Sequence, residues 1–281
     1  MPPKRAKPAQ DEQPTYTHWL IKASCSFAEP ETRIEKGVDV KFSIDDLEEQ
    51  KTTSWEGVRN HEAKKFLKSQ MKLGHLCLFY ASNCKVPGVV GIAKVCKEGY
   101  PDHNAWDPKH PYHDPKSKKD DPTWFMVDVE FVSKLPHPVP LSLLQSLSTC
   151  TSSSLPPSLA YLTPSALTAI SASHLLTRGR LSVQPASGDF FAAVRELGEK
   201  GGWEDGEGRE WYEGRVKAKK TAGKGSVEKR KGAAKGKKKA EDEEDEEDED
   251  EGAKKKKVKD EKEAAKEDED GKRRSKRAKK A

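Results

Sequence analysis

Residues 123–132 read TWFMVDVEFV. Val127, Val129 and Phe131 alternate with Asp128 and Glu130. That is the period-two pattern of a strand with one face in a core and the other toward water. A strand needs partners, and apolar runs upstream supply them. His75–Tyr80 is one, and Val89–Cys96 is another, entered through the turn Val86-Pro87-Gly88. Thr17–Ile21 adds a short strand with Trp19 and Ile21 on one face, and Arg180–Pro185 (RLSVQP) adds a last one. Pro136–Pro140 is expected to end the 124–132 strand, because proline cannot donate to a ladder.

Helix signals lie between these strands. Ser43 is placed to cap a helix over Ile44–Gln50, with Asp46 at the capping-box position. Asn60–Met71 carries Ala63, Phe66, Leu67 and Met71 at helical spacing, with Lys64, Lys65 and Lys68 toward solvent. Leu141–Leu147 and Ser165–Leu176 are weaker helical stretches. Phe190–Leu197 is stronger, with Ser187 or Asp189 as cap and Gly198 as its expected stop. Residues 99–123 read as a long polar loop, and Ser148–Pro157 as a mobile Ser/Pro-rich one. The sum is a mixed α+β domain around a small curved sheet or barrel. Neither a dinucleotide-binding glycine pattern nor a P-loop occurs.

Composition divides the chain. Every Trp, Tyr and Phe of the 281 residues lies between Tyr16 and Tyr212. Residues 214–281 hold 26 Lys+Arg against 19 Asp+Glu, a balance of +7, while the other 213 residues hold 26 against 28 and balance at −2. Such a tail buries too little apolar surface to offset its chain entropy, so a disordered mixed-charge tail is expected over 213–281. Its blocks are basic over Lys217–Lys239, acidic over Glu241–Glu251, and basic again over Lys254–Lys257 and Lys272–Lys280. A flexible basic arm is expected over 1–15 and one domain over 16–212. The arm's Pro2–Pro8 (PPKRAKP) resembles a nuclear import signal, and no apolar run reaches membrane-spanning length. Five cysteines without paired spacing fit a reducing compartment. These features point to a nuclear, monomeric protein that works away from membranes.

Aromatic rings beside hydrogen-bonding groups recur in THWLIK (17–22), SWEGVRN (54–60), FYASN (79–83) and TWFMVDVEF (123–131). Flat faces plus a few amides suit a planar heterocycle such as a nucleobase. The candidate cage is Trp19, Trp55 and Trp124, with Tyr80 beside it; a small barrel would equally use bulky rings as core fill. Asn60, Ser82 and Asn83 offer donors and acceptors for a base edge, and Arg59 and Lys22 offer charge. Helix capping suits Asn60 as well, and a turn suits Ser82 and Asn83. His103, Asp107, His110, His113 and Asp114 share one proline-rich loop whose spacing matches no metal motif, so an exposed loop or pocket lid is expected there. No GxSxG elbow or paired-carboxylate motif is present, and no signature surrounds Cys84. A binding module without cofactor or metal is expected rather than an enzyme.

These stretches, in this order, resemble the EVE domain as it occurs in the thymocyte nuclear protein family. The matching runs are WLIK (19–22), EPETRIEKGVDVKFSIDDL (29–47), WEGVRNHEAKKFL (55–67), FYASNCKVPGVVG (79–91), YPDH (100–103), HPYHDPKS (110–117), PTWFMVDVEFV (122–132) and TRGRLSVQP (177–185). The resemblance implies a PUA-like fold, a twisted β-barrel with peripheral helices. It implies an aromatic-lined pocket for a modified, flipped-out base, in DNA first and RNA as the alternative. It also brings Ser182 and Gln184, on the last strand, toward that pocket. A third reading is a chromatin-associated protein acting on histones or other nuclear proteins through its tail. The chain departs from the family pattern in ASCSFA (23–28) after Lys22, in Ala81 where the family often has His, and over 146–160.

Overall fold

A computed structural model describes residues 16–24 and 34–218, all within one compact unit. The expectations for the basic arm, for most of the segment after Lys22 and for the tail beyond 218 lie outside the described residues. The strands are β1 (His18–Ser24), β2 (Ile34–Glu35), β3 (Val38–Asp39), β4 (Thr52–Trp55), β5 (Leu76–Ser82), β6 (Gly88–Pro101), β7 (Phe125–Pro140) and β8 (Val183–Ala186). Six of them form one sheet in the order β4-β7-β6-β5-β1-β8, and β2 pairs with β3 in a separate hairpin. Among the described residues only β1–β5 is parallel, with Trp19 opposite Cys77 and Ile21 opposite Phe79. The helices are α1 (Ile44–Gln50), α2 (His61–Lys65), α3 (Leu141–Leu147), α4 (Pro164–Ser171), α5 (His174–Thr177) and α6 (Gly188–Lys200). Residues 206–218 are also helical. The fold is mixed α+β, as the segment pattern implied.

Central strands are buried on both faces, which explains their nearly unbroken apolar runs. Leu20, Leu78 and Val139 enter one core cluster with α3, α4 and α6. Their neighbours Trp19, Ile21, Cys77, Phe79, Val127 and Val129 enter a second cluster with Ile44, Leu47, Trp55, Leu67 and Met71. Alternation along each strand thus feeds two cores rather than one core and solvent.

Several expected boundaries move. β7 does not stop before Pro136. Its pairs jump from Val89–Val139 to Gly91–Lys134, so residues 135–138 face Val90 alone. Pro136 and Pro138 sit in this wide bulge, where no ladder N–H is required. The 60–71 segment is not one α-helix: after α2 it widens into a π turn over Phe66–Gln70, closed by Met71 N donating to Phe66 O at 2.9 Å. β6 continues to Pro101, so the polar loop begins later than expected. The Ser148–Pro157 stretch, expected as a mobile loop, runs into short 3₁₀ turns at Ser152–Ser154 and Pro157–Leu159 that anchor the buried Leu159. Gly198 lies inside α6, which ends at Gly201. A Cβ on Gly198 would come within 2.6 Å of Leu135, so its smallness lets the helix close on β7.

Candidate ligand pocket

A cavity of about 440 Å³ opens beside the aromatic segments. Such a volume suits a single nucleoside-sized ligand. Its wall is assembled from the end of β1 (Lys22, Ala23, Ser24), residues 38–42, residues 53–58 on and after β4, the loop His110–Tyr112, and Ser182. Among the described residues β4 is an edge strand whose one ladder is with β7.

Trp55 anchors the apolar wall. It is 8% exposed, packs edge-on against Phe79 with centroids 5.7 Å apart, and meets Phe42 at 6.5 Å. Tyr112 supplies a second aromatic surface from the opposite loop, and Gly57 permits its approach. Gly57 has φ +74°, and a Cβ there would lie 2.4 Å from the Tyr112 ring. Both the backbone conformation and the space therefore require glycine.

The loop is clamped to the β4 exit by a buried carboxylate. Asp102, fully buried, accepts from Gly57 N at 3.1 Å and from Arg59 Nη1 at 2.7 Å, and Arg59 Nε donates to Tyr112 O at 2.8 Å. Charge-assisted bonds of this kind fix geometry strongly. Glu56 adds a polar wall. One of its oxygens lies 3.2 Å from His110 Nε2, and the other accepts from Asn104 Nδ2. Lys22 donates from Nζ to Gly179 O at 2.6 Å, and burial lowers its pKa. The Lys22 amide also donates to Ser182 O at 2.9 Å, which ties the 178–182 loop to the end of β1.

Of the residues singled out in the sequence, Lys22, Trp55 and Ser182 reach this wall. The others stand elsewhere. Trp19 is a core ring, 0% exposed, with Nε1 donating to His75 Nδ1 at 3.1 Å. Trp124 lies tilted against His61, donates to Asp114 at 2.6 Å, and is not part of the cavity lining. That bond holds the Asp114 carboxyl below its ordinary range. Arg59 braces the loop rather than facing the ligand space. Asn60 caps α2, accepting from Glu62 N at 2.9 Å and Ala63 N at 3.0 Å. Tyr80 lies in the helix-side core under Lys22, and burial pushes its hydroxyl up to about 12. Ser82 donates to Ala23 O at 2.6 Å, and Asn83 holds a turn at φ +57°. Gln184 is buried under the 178–182 loop, giving its amide to Arg178 O and Leu181 O at 2.8 and 2.9 Å. Gln184 also lines a separate cavity of about 130 Å³ with Ser173 and His174.

Val38–Phe42, Glu56, Gly57, His110 and Tyr112 were not singled out as ligand contacts, although the family-like runs 29–47, 55–67 and 110–117 contain them. A tyrosine in a loop interrupted by prolines is the one local signal that marked Tyr112.

A family model described as EVE domain matches residues 17–197. Thymocyte nuclear protein 1 of Homo sapiens is 45% identical over 186 residues, covering 66% of this chain and 75% of that protein. The Gallus gallus protein of the same name is 44% identical over 193 residues, covering 68% and 72%. A crystal structure of human THYN1 in complex with DNA containing 5-methylcytosine is similar at a TM-score of 0.56, with 44% identity over 65% of this chain and 98% of that one.

Proposed function

The chain belongs to the EVE domain family, and from that premise we propose that it is a non-catalytic nuclear protein that reads a modified base in DNA. One observation carries the reading. A cavity of about 440 Å³, walled by Trp55, Phe42 and Tyr112 and edged by Glu56, lies in a domain whose human relative was crystallised on DNA containing 5-methylcytosine. A base inside a duplex is out of reach of such a cavity, so it must leave the stack at a cost of a few kcal/mol. Stacking on an aromatic ring returns about 1–3 kcal/mol. Cytosine offers an amino donor on its pairing edge, which a carboxylate accepts, and a 5-methyl group seeks apolar contact. Glu56 supplies the carboxylate, and Trp55, Phe42, Val38 and Val40 supply the apolar wall.

The family resemblance further implies that the six-stranded sheet is the wall of a PUA-like twisted barrel. His110, the one imidazole on the described wall, is held by Glu56. The relatives are named nuclear proteins, and no helix among the described residues is long and apolar enough to cross a membrane. Basic blocks in 214–281 would add sequence-independent attraction to phosphate.

The test is binding of the full chain to one duplex carrying either cytosine or 5-methylcytosine at a single position, with Trp55→Leu alongside. Tighter binding to the modified duplex, lost in the variant, supports the reading. Equal affinity for both duplexes, unmoved by the substitution, would sink it.

A further inference from the structure

The domain is nearly neutral, but its cations are not used evenly. Lys72 pairs with Glu98 at 2.9 Å and Lys97 with Asp128 at 3.8 Å; Lys94 pairs with Glu130, and Lys134 with Asp45 and Glu48. Around the pocket Arg59 pairs with Asp102 and Arg178 with Glu62, but other cations there stand apart from carboxylates. Among the described residues, Lys41, Lys64, Lys65, Lys68 and Arg180 have no carboxylate within ion-pair distance. Lys41 lines the cavity, and Arg180 stands in the loop that holds Lys22.

Lys64, Lys65 and Lys68 follow directly from the wall residue Val58 through Arg59 and the Asn60 cap. The one nearby acid on that helix, Glu62, is bound by both guanidinium nitrogens of Arg178, which closes the gap between α2 and the 178–182 loop. Lys64 and Lys68 are seated on the faces of Trp124 and Phe125, at 5.6 and 4.5 Å, so rings rather than carboxylates place them. Trp124, offered by the sequence as a cage wall and absent from the cavity lining, thereby gains a role as a platform for a lysine on α2.

We propose that this unpaired cationic rim is the seat for the phosphate backbone of the duplex whose base enters the pocket, with Lys64, Lys65 and Lys68 taking phosphates on one flank and Lys41 and Arg180 on another. The inference rests on the base-binding reading of the cavity. Phosphate contacts set register and bulk affinity, whereas the pocket selects the base.

The experiment compares the full chain with Lys64→Gln/Lys65→Gln/Lys68→Gln on the cytosine and 5-methylcytosine duplexes over a range of salt concentrations. Each phosphate contact contributes about −0.9 to the slope of log affinity against log salt, so three lost contacts flatten it by roughly 2–3. The ratio of affinities for the two duplexes should stay as in the parent chain. An unchanged slope overturns the proposal. So does an unchanged duplex slope with lost binding to poly-glutamate, which would assign the rim to an acidic protein. If neither duplex is preferred and Trp55→Leu has no effect, yet the triple variant still flattens the slope, the rim stands and the base reading fails. Unfolding midpoints for all variants separate these outcomes from a folding defect.

Discussion

The two faces of the sheet are finished differently. One is sealed by α3, α4 and α6, whose Leu143, Leu144, Leu147, Phe190, Val194 and Leu197 are all at most 3% exposed. The other is covered by separate pieces, α1, the run through α2 and the segment around Val58, with residues 38–42 and the loop around Tyr112 at the cavity wall. The thirteen-residue α6 packs with α3 and α4 into a continuous layer, whereas the separate pieces on the other face leave a gap between them. The cavity is the gap they leave at the end of β1 and the edge of β4. The sealed face accordingly provides rigidity, and the pieced face provides a concavity whose walls come from five separate segments.

If that division of labour is right, damage to each face should separate stability from binding. The largest effect is expected for Leu144→Ala on the sealed face. Removing a fully buried leucine side chain costs about 2–5 kcal/mol, so the urea midpoint should fall steeply while the surviving folded fraction keeps its preference between duplexes. Trp55→Leu is the converse. It keeps an apolar side chain against Phe79 but loses a ring surface, so about 1–3 kcal/mol should vanish from binding with a smaller change in unfolding. Equal losses of binding and stability in both variants would break the contrast.

Gly57→Ala sharpens it further. A Cβ must fit at φ +74° and against the Tyr112 ring, at a cost of about 1–3 kcal/mol in strain. The displaced ring then closes or opens the mouth, so ligand affinity should drop more than the modest unfolding change accounts for. A crystal structure of the variant with Tyr112 unmoved would contradict this.

The sheet and the capped helices were legible because local signals agree with the fold. The alternation of Val127, Val129 and Phe131 and the Ser43–Asp46 capping box are both present as expected. The bulge at Pro136 and Pro138 was hidden, because proline signals the end of a ladder and only the partner strand reveals a gap in it. The site was harder to see. Trp19 and Trp124 carry the same local signal as Trp55, a ring beside polar residues, yet strand register sends Trp19 opposite Cys77 into the core. Position relative to the sheet edge, a property of the assembled fold, decides which ring lines the cavity. Likewise Asn60 was readable as cap or contact, and the two backbone amides that reach its side chain settle on the cap.

The smallest expected effect tests whether the pocket-side core is stiffened by a neutral imidazole. His75 Nδ1 accepts from both Trp19 Nε1 and Lys72 N, each at 3.1 Å, so its proton must sit on Nε2. Burial lowers the pKa of His75, and burial first, then the charges of His75 and Arg195, lowers that of His18. For such groups the unfolded chain binds more protons than the folded one near pH 6. Their contribution is therefore complete above the ordinary histidine value of about 6.5, and is lost as pH falls from there through the lowered folded values. Urea midpoints should drop between pH 7.5 and pH 5 by more than the acidic residues of the domain account for. His75→Asn, which keeps an acceptor oxygen near the Nδ1 position but cannot titrate, should flatten that drop. An identical pH profile for the variant and the parent chain would place the acid sensitivity elsewhere and leave the Trp19–His75 bond without a role in it.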